Sequence, residues 1–260
     1  MVRIALGIEY DGRDFNGWQI QKDSDQAKKV RTVQACLEQA LSQVANHPVR
    51  VHCAGRTDTG VHGCEQVAHF DAQTERTDHS WMFGANANLP KDVSVLWAKP
   101  VGEDFHARFS ALRRRYRYII LNRPVRPALQ SGHVTWEYRP LDVARMNEGA
   151  TYLQGEQDFS SFRAYACQAK SPMRTVYELK VTRDAENICI DIEANAFLHH
   201  MVRNIAGVLM TVGAGERDPV WVKGVLEAQD RVQGGVTAPA SGLYLMAVTY
   251  PEDFGIPSIR

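Results

Sequence analysis

Residues 54–63 read AGRTDTGVHG. Gly55 and Gly60 bracket Arg56 and Asp58, and glycine tolerates backbone conformations other residues resist, so the segment is expected to be a tight, exposed loop. A carboxylate at neutral pH can act as a nucleophile or an anionic stabiliser if it stays ionised. A nearby arginine favours that ionised form. Asp and Thr are also ordinary turn formers, because their side chains bond nearby backbone N–H groups. Taken alone, the segment reads as a turn.

A second candidate is RRRYR at 113–117. On a strand, alternation places Arg114, Tyr116 and Tyr118 on one face and Arg113, Arg115 and Arg117 on the other. So many arginines are hard to bury, and Arg108, Arg123 and Arg126 lie close by in sequence. Basic residues interleaved with aromatics suit phosphates and stacked bases, although acidic neighbours could equally balance the strand. His52, Cys53, His62 and Cys64 flank the first loop without the Cys-x-x-Cys spacing of structural zinc sites. Cys53 reads as a small buried strand residue. His199 and His200 open a helix, where adjacent side chains diverge by about 100° and ligate poorly as a pair. Arg203, near the start of that helix, reads alone as a surface arginine with a buried stem. There is no P-loop pattern, no dinucleotide fingerprint and no Gly-x-Ser-x-Gly.

The elements that must position these residues follow from periodicity. Val2, Ile4, Leu6, Ile8 and Tyr10 alternate as a half-buried strand. Val30, Val33, Leu37, Leu41 and Val44 recur as a helix with Thr32 as N-cap. Strands are expected near 49–54, 64–71 and 93–99, and a helix at 78–87. The second half is expected to bring strands at 105–122 and 131–138, a helix at 141–153 closed by Gly155, and strands at 174–183 and 187–196. A helix at 198–213, a further helix capped by Asp218-Pro219 and a last strand at 242–250 complete it. The fold class expected is α+β. Two tandem ferredoxin-like halves, each β-α-β-β-α-β, share a mostly antiparallel sheet. The division falls between 1–104, which carries the Asp58 loop, and 105–260, with an added strand and helix. Helices cover one face of the sheet, and a cleft between the halves opens on the other.

The bulk numbers restrict the partners. The chain has 260 residues, 44% hydrophobic and 23% charged, an ordinary globular composition. Its 30 basic and 30 acidic residues cancel, so any nucleic-acid site must be a local patch. Five cysteines without framework spacing point to reduced thiols and a cytoplasmic setting. No apolar run approaches a membrane span, and the start lacks a signal-peptide core.

Taken together, AGRTDTGVHG, FHARFSALRRRYRY (105–118), DFSSF (158–162), NAFLHHMVRN (195–204) and TAPASGLYL (237–245) resemble the TruA-type tRNA pseudouridine synthases, in order and across nearly the whole chain. Thr59 departs from the small alanine usual after the aspartate. The resemblance implies the pseudouridine synthase fold, a positively charged active-site cleft and a homodimer. It implies no cofactor and no metal. The implied substrate is tRNA, at uridines on the 3′ side of the anticodon stem-loop.

The resemblance also implies roles. Asp58 is the catalytic aspartate, Tyr116 packs on the target uracil, and Arg203 pairs with the aspartate. Arg56 is linked to flipping the nucleotide out, and Leu243 forms part of the apolar pocket wall. Phe105, His106, Ala107, Arg108 and Phe109 form one RNA-contacting segment. Ala166, Cys167, Gln168, Ala169 and Lys170 form a second.

Two other classes fit parts of the sequence. A non-catalytic RNA-binding module would use the same basic-aromatic strand, but an acid at the centre of a phosphate-binding cleft disfavours binding alone. A metal-dependent phosphodiesterase would use Asp58, His52 and His62 and would lose activity to a chelator.

Overall fold

The computed structural model describes residues 1–21 and 30–258. In chain order the elements are β1 (Val2–Tyr10), α1 (Val33–Ala45), β2 (His52–Cys53), β3 (His62–Ala72), α2 (Asp78–Asn88), β4 (Val93–Val101), β5 (Arg113–Asn122), β6 (Thr135–Glu137), α3 (Val143–Thr151), β7 (Gly155–Asp158), β8 (Met173–Asp184), β9 (Asn187–Ala194), α4 (Met201–Gly213), α5 (Trp221–Ala228) and β10 (Leu243–Thr249). They pack as two compact units. The first comprises Met1–Leu112 with Tyr244–Arg260, and the second Arg113–Leu243. The architecture is mixed α+β, and most strand pairs are antiparallel.

In the first unit β1 lies between β4 and β3, antiparallel to both. β2 pairs antiparallel with β3, and β10 joins β3 in parallel through Tyr244 and Leu245. α1 begins at Thr32, whose side chain accepts from the Ala35 N–H, and ends at Asn46 in the left-handed conformation. Leu37, Leu41 and Trp81 from the helices pack on Ile4, Leu6 and Ile8 of β1. Asn86 on α2 exchanges two hydrogen bonds with the backbone of Val95, fixing the helix to the edge strand β4.

β1 is not the half-buried strand its alternation predicts. Its other face packs Ala5 against Val67, Trp97, Phe105 and Tyr250, so the strand is buried on both sides. The 105–107 segment and the chain end supply that cover. The strand expected at 49–54 shrinks to His52–Cys53, and the strand expected at 105–122 begins only at Arg113. Residues 105–112 form turns, because their polar groups serve a local network rather than a ladder.

In the second unit the strand order is β5-β9-β8-β7, antiparallel throughout, with β6 beside β5 in parallel. α3 starts at Asp142, whose carboxylate accepts from the N–H groups of Ala144 and Arg145. Asn147 on α3 exchanges two hydrogen bonds with the backbone of Val181 on β8. α4 buries Ile205, Val208, Leu209 and Val212, the stripe its periodicity predicts. The added strand expected at 131–138 keeps only three residues, and β7 was not foreseen. The expected Asp218-Pro219 cap is not made: α5 follows Val220 with no side-chain cap, because the Asp218 carboxylate pairs with Arg145 instead.

Candidate active site and nucleic-acid interface

The 54–63 loop is held from four directions within the first unit. Ala54 N–H donates to Val67 carbonyl at 2.8 Å, placing the loop's start beside β3. The Gln66 side chain donates to Gly55 carbonyl at 2.5 Å and accepts from its N–H at 3.3 Å. Tyr10 hydroxyl and Thr57 Oγ1 share a buried hydrogen bond of 2.8 Å, and Trp18 N–H donates to Thr57 carbonyl at 3.0 Å. Asp58 carbonyl accepts from Val61 N–H at 3.1 Å, which closes the turn. Gly60, at φ +79°, supplies the left-handed residue that turn needs.

The 12–18 stretch braces the loop from beneath. Gly17 sits at φ +85°, and a Cβ there would lie 2.8 Å from the Thr57 carbonyl oxygen. Only glycine permits this approach. The result is a buried Thr57, an exposed Arg56 and a half-buried Asp58 on a backbone fixed on both sides. Thr59, the departure from the family pattern, faces solvent. A reactive carboxylate gains from such preorganisation, since no backbone reordering is needed at the moment of reaction.

His62 accepts from the Gly12 N–H at 3.1 Å and stacks on Tyr244 with ring centroids 4.6 Å apart. His52 is exposed and stacks on His69. Burial pushes the Cys53 thiol up to about 12.

The 105–109 segment divides its residues between anchoring and display. Phe105 and Ala107 are fully buried, with Phe105 against Tyr250 and Phe254. Ala107 N–H donates to His69 Nδ1 at 3.1 Å, and its carbonyl accepts from Tyr250 hydroxyl at 2.6 Å. His106 Nδ1 accepts from Arg108 N–H at 3.1 Å. Arg108 and Phe109 face solvent, with the guanidinium 5.6 Å from the ring centroid. An exposed aromatic beside a guanidinium suits a stacked base and its phosphate.

In the second unit the RRRYR strand presents two different faces. Arg117 makes a bidentate pair with Asp191 at 2.9 and 3.0 Å, Arg115 lies 3.8 Å from the same carboxylate, and Arg113 meets Glu193 at 2.8 Å. On that face three arginines pair with two carboxylates across β5 and β9, so it is not the free basic patch that arginine density predicted. The carboxylates of Asp191 and Glu193, directly opposite in register, are the reason. On the other face Arg114 donates to Asn195 carbonyl at 2.9 Å. Tyr116 is buried edge-to-face against Phe197, 5.0 Å between centroids at 79°.

Arg203, half-buried near the start of α4, donates through Nε to the carbonyl of Ala238 at 2.8 Å, and Ala238 N–H returns a bond to the Arg203 carbonyl. This ties α4 to the 237–243 strap, which ends on the buried Leu243. Tyr118 hydroxyl bonds Thr135 and the Pro239 carbonyl under the same strap. Burial raises the Tyr118 pKa, and the charge of Arg203 partly offsets that rise. His199 and His200 do not sit in the helix as expected. His200 lies at φ +64° just before α4, which lets the two rings approach to 4.1 Å. In the 166–170 segment, Ala166, Gln168 and Lys170 are exposed, and Cys167 and Ala169 are half-buried.

Gln66, Gly17, His69 and Asn204 are not singled out by the sequence, and Tyr10 reads there only as a strand residue, although each supports one of these segments. The polar residues of EQVAHF in an otherwise apolar strand were the available signal for Gln66 and His69.

An acid fixed in a glycine-bracketed loop, an exposed arginine-aromatic pair and a mixed α+β frame define a class of RNA-directed protein. The family model described as tRNA pseudouridine synthase matches residues 7–110 and 150–251. The chain belongs to that family. A tRNA pseudouridine synthase A of Nitrosococcus oceani is 61% identical over 258 residues, covering 99% of this chain and 97% of that protein. The protein of the same name from Methylococcus capsulatus is 60% identical, covering 98% and 92%. That from Coxiella burnetii is 56% identical, covering 99% and 96%. Among solved structures, a Cbf5-Nop10-Gar1 complex aligns with 79% of this chain and 54% of its own at 12% identity and a TM-score of 0.31, too slight a likeness to add to this. No helix among the described residues is long and apolar enough to cross a membrane.

Proposed function

We propose that the protein isomerises uridine to pseudouridine in tRNA, with Asp58 as the essential carboxylate. The observation that carries the reading is the fixed Asp58 loop in a chain whose family model is that of tRNA pseudouridine synthases. The reaction breaks the bond from ribose C1′ to uracil N1, turns the base, and forms a bond from C1′ to C5. C5 gives up its hydrogen, and N1 takes one from solvent. Atoms and electrons balance without an oxidant, a reductant or an energy source.

The target base must first leave its stack, at a cost of a few kcal/mol. Arg56, exposed at the start of the loop, is assigned to the space the base leaves. Tyr116 is assigned to the uracil face, where stacking contributes about 1–3 kcal/mol per base. Its ring is already oriented by Phe197. Arg203 is assigned to Asp58 and Leu243 to the apolar wall. Arg108 with Phe109, and the 166–170 segment, are assigned to the tRNA backbone and its unpaired bases. The 4-1-3 order of the first unit, with β2 beyond β3, supports taking that unit as a ferredoxin-like half. The homodimer and the cytoplasmic setting belong to the same reading.

The substrate position is tested by treating tRNA transcripts with the protein, then with a carbodiimide that stays on pseudouridine, and mapping reverse-transcription stops. New stops on the 3′ side of the anticodon stem-loop are expected. Stops elsewhere would overturn the position, and no stop anywhere in any tRNA would overturn the activity.

A further inference from the structure

The second unit contains a hollow of about 350 Å³ lined by Ala164, Tyr165, His200, Arg231, Gly235 and Thr237. Arg231 forms its polar part. Its guanidinium donates to the side chain of Asn204 at 3.0 Å, to Thr237 Oγ1 at 2.8 Å and to the Gly235 carbonyl at 2.9 Å. Asn204 is fully buried, and its amide also donates to the Phe162 carbonyl at 2.7 Å while its oxygen accepts from Thr237 hydroxyl at 2.7 Å. Three neutral oxygens thus fix the arginine in place. No carboxylate among the described residues lies within ion-pair distance of it. Asp230, its neighbour in sequence, instead spends its carboxylate on the Val232 N–H. A rigid cation without a counter-charge, at the edge of a hollow, is a site for an anion.

The lining also includes an aromatic ring, Tyr165. Tyr165 is 88% exposed, and no packing contact accounts for a tyrosine in that position. Its backbone is nonetheless held. Ala164 N–H donates to His199 carbonyl at 2.9 Å, and Ala164 carbonyl accepts from Cys167 N–H at 3.0 Å. An exposed ring on a fixed turn and a fixed guanidinium, lining the same hollow, offer the two contacts that a nucleotide takes: a face for its base and a cation for its phosphate. The volume of about 350 Å³ is at the small end of ligand pockets, roughly 300–1,000 Å³.

We propose that this hollow is a second nucleotide subsite, which takes one unstacked nucleotide of the bound tRNA other than the one that reacts. Tyr165 stacks on its base and Arg231 binds its phosphate. The inference rests on the tRNA reading above and adds residues to it that no comparison assigns. It also gives the neighbouring 166–170 segment a reason to be ordered close to RNA.

The test is a pair of readouts on the full chain. Equilibrium binding of a tRNA transcript is measured for wild type, Tyr165→Ser and Arg231→Gln, with circular dichroism confirming that each variant is folded. Tyr165 is exposed, so its replacement leaves the core intact. Photo-crosslinking of the same transcript carrying 4-thiouridine then maps the contacted peptides. Affinity for Tyr165→Ser is expected to fall about tenfold, the loss of one stacking contact. Crosslinks are expected on the peptides holding 164–167 and 231–237. Wild-type affinity in folded Tyr165→Ser, or crosslinks that avoid both peptides, would overturn the subsite. Tritium release by wild type reads the reaction separately, so a failed subsite and a failed reaction give different patterns.

Discussion

At the scale of single residues, the loop that carries Asp58 is rigid for reasons that can be named. Gly17 is the least replaceable of its supports. An alanine there must adopt φ +85° and place its Cβ 2.8 Å from the Thr57 carbonyl oxygen. Gly17→Ala is expected to cost about 1–3 kcal/mol of stability and to lower turnover more than tRNA affinity, because the carboxylate shifts while the phosphate contacts remain. Denaturant melts and single-turnover rates check both. A variant with wild-type rate and stability would mean the brace is unimportant. Tyr116 gives a second prediction. If its hydroxyl helps move the C5 proton, Tyr116→Phe keeps tRNA affinity and slows turnover, and a fully active phenylalanine variant ends that idea.

At the scale of elements, the contact between β3 and the 105–109 segment depends on a neutral histidine. Burial first, and then the nearby charges of His106 and His52, hold His69 down to about 4 from an ordinary 6.5. Arg3 pushes the same way, and Asp71 opposes. The folded protein therefore binds fewer protons at this site than the unfolded chain. Its stability is complete above pH 6.5 and is lost as pH falls toward 4, by roughly 3 kcal/mol over that window. Protonation would also remove the Nδ1 acceptor used by the Ala107 N–H. His69→Gln is expected to flatten the fall in melting temperature between pH 7 and pH 5, and an equally steep fall in the variant would assign it to other groups.

The elements also show what was legible in the sequence. Long periodic segments were: β1, α1 with its Thr32 cap, α2, β8, β9 and α4 all lie where apolar spacing places them. Short strands were not, because β2 and β6 exist through pairing with β3 and β5 rather than through their own pattern. The burial of β1 on both faces depends on the 105–107 segment and the chain end, which no local window contains. Of the candidate site, the acid loop was visible as a motif. Its supports were scattered over Tyr10, Gly17 and Gln66, and only the fold brings them to it.

At the scale of the whole molecule, charge is the deciding quantity. The chain has no net charge, and the three arginines Arg113, Arg115 and Arg117 are paired with the two carboxylates of Asp191 and Glu193. The exposed Arg108, assigned to the tRNA backbone, is expected to carry part of the affinity for tRNA. Each phosphate contact contributes about 0.7–0.9 to the slope of log affinity against log salt. Arg108→Ala is expected to lower the slope by close to that amount, whereas Arg115→Ala leaves it nearly unchanged. A large drop for Arg115 and none for Arg108 would return the RNA surface to the paired face of β5.

The most direct measurement is release of tritium from tRNA carrying 5-tritiated uridine, with wild type and Asp58→Asn compared at equal occupancy. Forming the new bond at C5 must expel that hydrogen. Release by the wild type, none by Asp58→Asn, and similar tRNA affinity for both is the predicted result. Undiminished release by a clean Asp58→Asn preparation would contradict the account at its centre, since the fixed carboxylate would then be a turn residue and nothing more.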